Sequence, residues 1–187
     1  FGYSLAYVHL LRHLFALAAT LPAQCVSYTK MLGQLHDAGN TTTLAQYLKL
    51  LESAFLASGL ELFSLGVRRK RGSSPKLLLW NNGLISALST RRFSEALADT
   101  IWWGRLVENA VGAHLCNMLS PVTHTVTYWR DGRDEVDFVV ASGAKVWAIE
   151  VKSGRSGKGS GLERFRARYP GAEALLVGAH GIPLEEF

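Results

Sequence analysis

Between Thr41 and Phe55 the apolar residues Leu44, Tyr47, Leu48, Leu51 and Phe55 recur at offsets of 3, 4, 7 and 11, which predicts a helix with one buried face. Thr41 to Thr43 offer hydroxyls for its N-cap. Ahead of it, Phe1 to Ala19 is an apolar run broken by His9, Arg12 and His13 and predicts a leading helix, and Ser27 to Leu35 reads as a short helix. The turn residues His36-Asp37-Ala38-Gly39-Asn40 join that short helix to the next, giving a helix-turn-helix pattern. Leu60 to Leu65 and Lys76 to Trp80 read as strands on either side of Arg68-Arg69-Lys70-Arg71-Gly72-Ser73-Ser74-Pro75. A hairpin with a basic tip behind two such helices is the layout of a winged helix, whose wing can touch backbone phosphates, the alternative being a charge run that only keeps the loop solvated.

Further on, Asn81 to Arg92 reads as a linker with a short helical stretch, followed by a long helix that starts near Ser94 or Thr100 and ends before Ser120-Pro121. Thr123 to Trp129, Glu135 to Ala141 and Lys145 to Lys152 are extended, with turns at Arg130-Asp131-Gly132-Arg133 and around Ser142-Gly143-Ala144. A helix from Leu162 to Tyr169 and an apolar strand from Ala174 to Val177 complete an α-β-β-β-α-β order. The pattern predicts an α/β (α+β) chain of three parts: a leading helix at 1–22, a winged-helix-like unit at 23–92 and an α/β unit at 93–187.

Alternation along the last long strand puts Val146, Ala148, Glu150 and Lys152 on one face and Trp147, Ile149 and Val151 on the other. On the strand before it, Glu135 and Asp137 share a face against Val136, Phe138 and Val140. A four-residue loop from Ser142 to Lys145 sets Ala141 against Val146 and Asp137 across from Glu150, whereas a three-residue loop sets Asp137 against Ile149. Two opposed carboxylates repel unless a cation lies between them. Glu108 sits in the long helix with Gly104 and Gly112 four residues to either side. Each glycine costs a helix interior about 1 kcal/mol, so their presence implies either close packing that delivers the Glu108 carboxylate to the sheet or packing relieved elsewhere beside an exposed Glu108. Three carboxylates suit a hard cation such as Mg²⁺ or Mn²⁺, and Lys152 is placed to orient water or steady charge on a phosphate.

Of 187 residues 48% are hydrophobic, enough for a core. No uninterrupted apolar stretch reaches 18 residues, and the charges fall in the wrong order for a signal peptide, so the expected setting is the cytoplasm with no membrane partner. Residue 1 is Phe, with no initiator Met, so the chain reads as part of a longer protein. Two cysteines 91 residues apart make neither a disulfide framework nor a thiolate metal site and read as small buried residues. His9 and His13 have zinc-compatible spacing but no third ligand, so helix packing is the reading.

The net charge of +5 comes from the first 99 residues, where ten Lys and Arg face five Asp and Glu, as expected for contact with a polyanion. Gly154-Arg155-Ser156-Gly157-Lys158-Gly159-Ser160 lacks the spacing of a phosphate-binding loop, which excludes a nucleotide site there. It reads as a loop beside the acids in which Arg155 and Lys158, with Arg164, Arg166 and Arg168 beyond, either meet phosphates or are simply solvated. Trp102, Trp103 and Trp129 read as core.

Glu108 in a Gly-x-x-x-Glu helix, Glu135-Val136-Asp137 and Glu150-Val151-Lys152 together resemble the PD-(D/E)XK nuclease-like superfamily, with Val136 where the name has Pro. Residues from about 20 to 180 resemble the DUF4143 domain, found behind the nucleotide-binding module of prokaryotic AAA-type ATPases. Thr43 to Glu52 is similar to that family's second helix, and Ser74-Pro75-Lys76 with Leu77 to Asn81 to its wing strand. The resemblance implies a restriction-endonuclease-like core, an upstream ATPase module as partner, and Mg²⁺ or Mn²⁺ held by Glu108, Asp137, Glu150 and the Val151 carbonyl. Lys152 would then position the water that attacks a phosphodiester bond, while Arg68, Arg69, Lys70 and Arg71 hold DNA. The alternative it leaves open is a catalytically silent module that binds DNA or protein and regulates the ATPase.

Overall fold

The structure, a computed structural model, describes residues 5–36, 39–65, 73–154, 160–178 and 180–187. Its first helices are α1 (Leu5–Thr20), α2 (Tyr28–Leu32) and α3 (Thr41–Ser53). The N-cap of α3 is Asn40, one residue ahead of the threonines expected there, and its side chain accepts from the Thr43 N–H at 3.0 Å. Strands β1 (Ala57–Leu60) and β2 (Lys76–Leu79) form a two-stranded antiparallel sheet in which Ala57 faces Leu79 and Leu60 faces Lys76.

β1 ends where Leu60 to Leu65 had been expected to begin a strand, because the chain then leaves the hairpin for a second sheet. The Phe63 N–H donates to the Tyr128 carbonyl at 2.6 Å, and the Tyr128 N–H to the Glu61 carbonyl at 3.0 Å. The other edge of β2 pairs with the segment after α1, through Leu77 N–H to Gln24 O and Ala23 N–H to Leu77 O, both at 2.9 Å. Every residue of β2 is buried. Leu77 and Leu79 pack with Leu14, Leu44 and Leu48 of the helices. Leu78 points the other way, into the second core.

The stretch expected to be a linker holds two short helices, α4 (Asn82–Leu88) and α5 (Phe93–Ala98). The long helix α6 (Thr100–Met118) takes the later of the two expected starts, because the Asp99 side chain caps it by accepting from the Trp102 N–H at 3.0 Å. The second sheet has the order β3 (Thr125–Asp131), β4 (Asp134–Ser142), β5 (Lys145–Lys152), β6 (Glu173–Gly178). β3, β4 and β5 are antiparallel, and β6 runs parallel to β5 after the crossover helix α7 (Ser160–Arg168). This is the α-β-β-β-α-β order that the apolar pattern predicted.

α6 covers one face of this sheet, where Val111 and Leu115 pack with Leu60, Leu78, Phe138 and Ile149. α7 covers the other, where Phe165 packs with Trp129, Val136, Val139 and Ala148. Its Arg164 lies 3.6 Å from Asp131 and 3.3 Å from Asp134, and Arg168 lies 3.7 Å from Asp131, so both arginines face the β3–β4 hairpin. Both hairpins close with two-residue loops whose first residue, Gly132 or Gly143, has a φ of 63° or 58°. The result is a mixed α/β chain with helices and two sheets. Among the described residues no helix is long and apolar enough to cross a membrane.

Candidate functional site

The second of those loops sets the register at the acids. Ser142 faces Lys145 and Ala141 faces Val146, the alternative that directs Asp137 toward Glu150. Regular pairing of β4 with β5 ends at Phe138 and Ile149. There the Val151 N–H donates to the Asp137 Oδ2 at 2.8 Å, so a carboxylate takes the place of a backbone acceptor. On the other side of β4, Thr127 faces Val139 but Trp129 faces Val136, so β4 uses one residue more than β3. This is a β-bulge at Asp137 and Phe138, a device that redirects side chains beside sites. It corrects the expected alternation, since Val136 packs under α7 while Phe138 and Val140 pack under α6.

α6 reaches the acids because Gly112 has no side chain. A Cβ there would lie 2.5 Å from Leu78 Cδ1 and 2.6 Å from the Phe138 ring. Asn109, fully buried on the same helix, clamps β2 to it. Its Oδ1 accepts from the Leu79 N–H at 2.9 Å, and its Nδ2 donates to the Leu79 carbonyl at 2.9 Å and to Asn82 Oδ1 at 2.8 Å. Glu108 stands next to this clamp.

At the centre lies Lys76, the first residue of β2, with 0% of its surface exposed. Its Nζ pairs with Glu108 Oε1 and lies 3.3 Å from Glu135 Oε1, 3.1 Å from the Asp137 carbonyl and 3.6 Å from Asp137 Oδ1. Burial alone would lower the Lys76 pKa, but Glu108, Asp137 and Glu135 outweigh it and raise the value. Burial pushes Glu108 up to about 7 against the opposing pull of Lys76, and Asp137 adds to the rise. Glu135 is also held by Arg130, whose Nε lies 3.0 Å from Oε2. Burial would raise the Glu135 pKa, yet Lys76 and Arg130 leave it below the usual carboxylate value.

Glu150 is 8% exposed and accepts at Oε1 from Lys152 Nζ at 2.6 Å, while its buried Oε2 has no partner among the described residues. Burial and then Asp137 raise its pKa. Glu108, Glu135, Asp137 and Glu150 line one cavity of about 370 Å³ with Arg130 and Gln24. The buried Nε2 of Gln24 also lacks a partner among the described residues. Cys25, expected as plain core filler, is only half-buried and sits 3.9 Å from Glu135 Oε1, and burial followed by Glu135 raises its thiol to about 11.

The structure therefore brings Glu108, Asp137, Glu150 and Lys152 together, with Val151 contributing its N–H. Arg68, Arg69, Lys70, Arg71, Arg155 and Lys158 lie outside the described residues. Sequence reasoning missed Lys76, Glu135, Arg130 and Gln24. One signal for Lys76 was available, namely a lysine opening the uninterrupted apolar strand Leu77-Leu78-Leu79, since a lysine is almost never fully buried unless paired. Among the described residues no group of three or more His, Cys, Asp and Glu is arranged to hold a metal ion.

Residues 103–182 match the profile of a domain of unknown function, DUF4143. Residues 5–95, which include the helices and wing strand compared above with DUF4143, match that of a second domain of unknown function, DUF8612. No curated protein matches the chain. Among solved structures, the crystal structure of protein VC1899 from Vibrio cholerae aligns with 92% of this chain at 20% identity and a TM-score of 0.25. The match covers 42% of that longer chain.

Proposed function

We propose that the chain is a nucleic-acid-binding module on a nuclease-like core, catalytically silent, serving an ATPase module of the same protein. The observation that carries this reading is the buried ammonium of Lys76 among Glu108, Glu135 and Asp137, where a hydrolase of this class needs a divalent ion. Mg²⁺ or Mn²⁺ does not fit beside it, because the ion would meet a fixed positive charge and carboxylates already engaged. Lys152 is held by Glu150, and Asp137 Oδ2 accepts from the Val151 N–H, so both are already engaged within the protein. Binding is supported by the basic excess of the first 99 residues and by the helices and hairpin α2, α3, β1 and β2, which we read as a winged helix. The ATPase partner rests on the resemblance to DUF4143.

The test measures fluorescence anisotropy with a labelled DNA duplex at several salt concentrations, beside gels run with Mg²⁺ and Mn²⁺. Binding that weakens with salt, and weakens again when Arg68, Arg69, Lys70 and Arg71 are changed to Ala, is the expected result, with the DNA left intact. Absence of binding at low salt refutes the nucleic-acid reading. Metal-dependent cleavage lost in Asp137→Ala refutes the silent one. One observation favours that second, hydrolytic reading: the bare Oε2 of Glu150 in a polar cavity shared with Glu108 and Asp137.

A further inference from the structure

We infer that Lys76 is the site's built-in cation: it stands where a divalent ion would stand, and the acidic cavity becomes a metal site only when that ammonium is taken away. The inference rests on the catalytically silent reading above and states what enforces the silence.

An ammonium has three N–H donors and no acceptor. Lys76 has three oxygens for them at bonding distance, Glu108 Oε1, Glu135 Oε1 and the Asp137 carbonyl, with Asp137 Oδ1 farther off at 3.6 Å. These oxygens come from α6 and from Glu135 and Asp137 of β4, just before and within its bulge. An oxygen cage drawn from separate elements around one point charge is what a hard cation requires, with the charge here carried on a side chain. Because Lys76 is fully buried and belongs to β2, which Asn109 clamps to α6 at Leu79, the ammonium is held in place rather than exchanged with solvent.

The charge balance points the same way. With all four acids ionised, Glu108, Glu135, Asp137 and Glu150 are met among the described residues by Lys76, Lys152 and Arg130, so at most one negative charge is left over, too little to draw in a divalent ion against a neighbouring ammonium. Removing Lys76 leaves the same oxygens facing one another with two surplus negative charges on that count, and Glu150 Oε2 without a partner among the described residues. Like carboxylates in that state are relieved by a cation. The ligand class is an oxygen-preferring divalent ion, with Glu108, Asp137 and Glu150 as its donors.

The experiment titrates Mn²⁺ into the full chain, following the ion by electron paramagnetic resonance and the protein by thermal melting. Wild type is expected to show no saturable Mn²⁺ binding at this site and no change in melting temperature. Lys76→Met is expected to bind Mn²⁺ at least tenfold more tightly than wild type and to melt higher as Mn²⁺ rises, both effects being lost when Asp137→Asn is added. Lys76→Met with Glu135→Gln sheds one charge and serves as the second variant. If both variants fold only with Mn²⁺, that supports the inference, and failure to fold with or without it overturns it. Saturable binding in wild type that Asp137→Asn abolishes also overturns it, as does equal affinity in wild type and Lys76→Met. A chain that binds no DNA would defeat the proposed function and leave the Mn²⁺ result standing.

Discussion

Gly112→Ala tests whether close approach of α6 to the sheet is what places Glu108. In an open helix the change would stabilise by about 1 kcal/mol, the usual advantage of alanine over glycine. Here the new Cβ would lie 2.5 Å from Leu78 Cδ1 and 2.6 Å from two atoms of the Phe138 ring, against the roughly 3.5–4.0 Å at which carbons rest. Leu78 and Phe138 are fully buried, so neither can swing into solvent and the helix itself must shift by about 1 Å. Overpacking of this kind costs typically 1–3 kcal/mol. It outweighs the propensity gain, and the expected net loss is on the order of 1–2 kcal/mol, a drop in melting temperature of roughly 2–8 °C for a chain of this size. Gly104→Ala on the same helix is the control: its Cβ meets only the hydroxyl of Ser153 at 3.3 Å, at the end of an exposed side chain. That variant should be neutral or up to about 1 kcal/mol more stable. Urea unfolding of both decides the matter. If Gly112→Ala is as stable as wild type, or the two variants shift together, glycine at 112 is not there for contact and the account of how Glu108 reaches the site is wrong.

Asn109→Ala should cost on the order of 3 kcal/mol, because it strands the Leu79 N–H and carbonyl inside the core, and urea unfolding within 1 kcal/mol of wild type would show that the clamp is dispensable. Glu108 gives a pH signature. Its folded-state pKa of about 7 lies above the ordinary 4.5, so between those values the folded chain keeps a proton that the unfolded chain has released. The stability this proton contributes is complete below about pH 4.5 and is lost as pH rises through about 7. The stability of wild type relative to Glu108→Gln, which cannot titrate, should therefore fall across that window by an amount on the order of 3 kcal/mol. Denaturant unfolding at a series of pH values measures it, and a flat or rising difference would contradict the assignment.

What could be read from the chain alone was whatever depended on near neighbours. Gly132 and Gly143 mark the two turns, and the alternation from Val146 to Lys152 belongs to one strand, so the order of elements was legible, while the register at Ala141 and Val146 was one of two that the turn left open. The slip at Asp137 and Phe138 was hidden because it depends on the Val151 N–H preferring a carboxylate and on Tyr128 bonding to Glu61 and Phe63 of a distant segment. Lys76 was hidden for a similar reason, since Glu135 and Asp137 lie 59 and 61 residues away in sequence. Its role depends on three elements meeting at a point. Nothing in the run Ser74-Pro75-Lys76 separates a wing lysine from an internal counter-ion except the apolar stretch that follows.

The strand β2 has a consequence for how such a chain can change over time. Its four residues alternate allegiance, Leu77 and Leu79 to the helices of the first half, Lys76 and Leu78 to the sheet of the second. The two matched segments, 5–95 and 103–182, therefore cannot be shuffled as independent cassettes. A second half grafted behind a different first half would inherit its acids without their lysine, and only a graft whose incoming strand opens on a cation would leave those acids balanced.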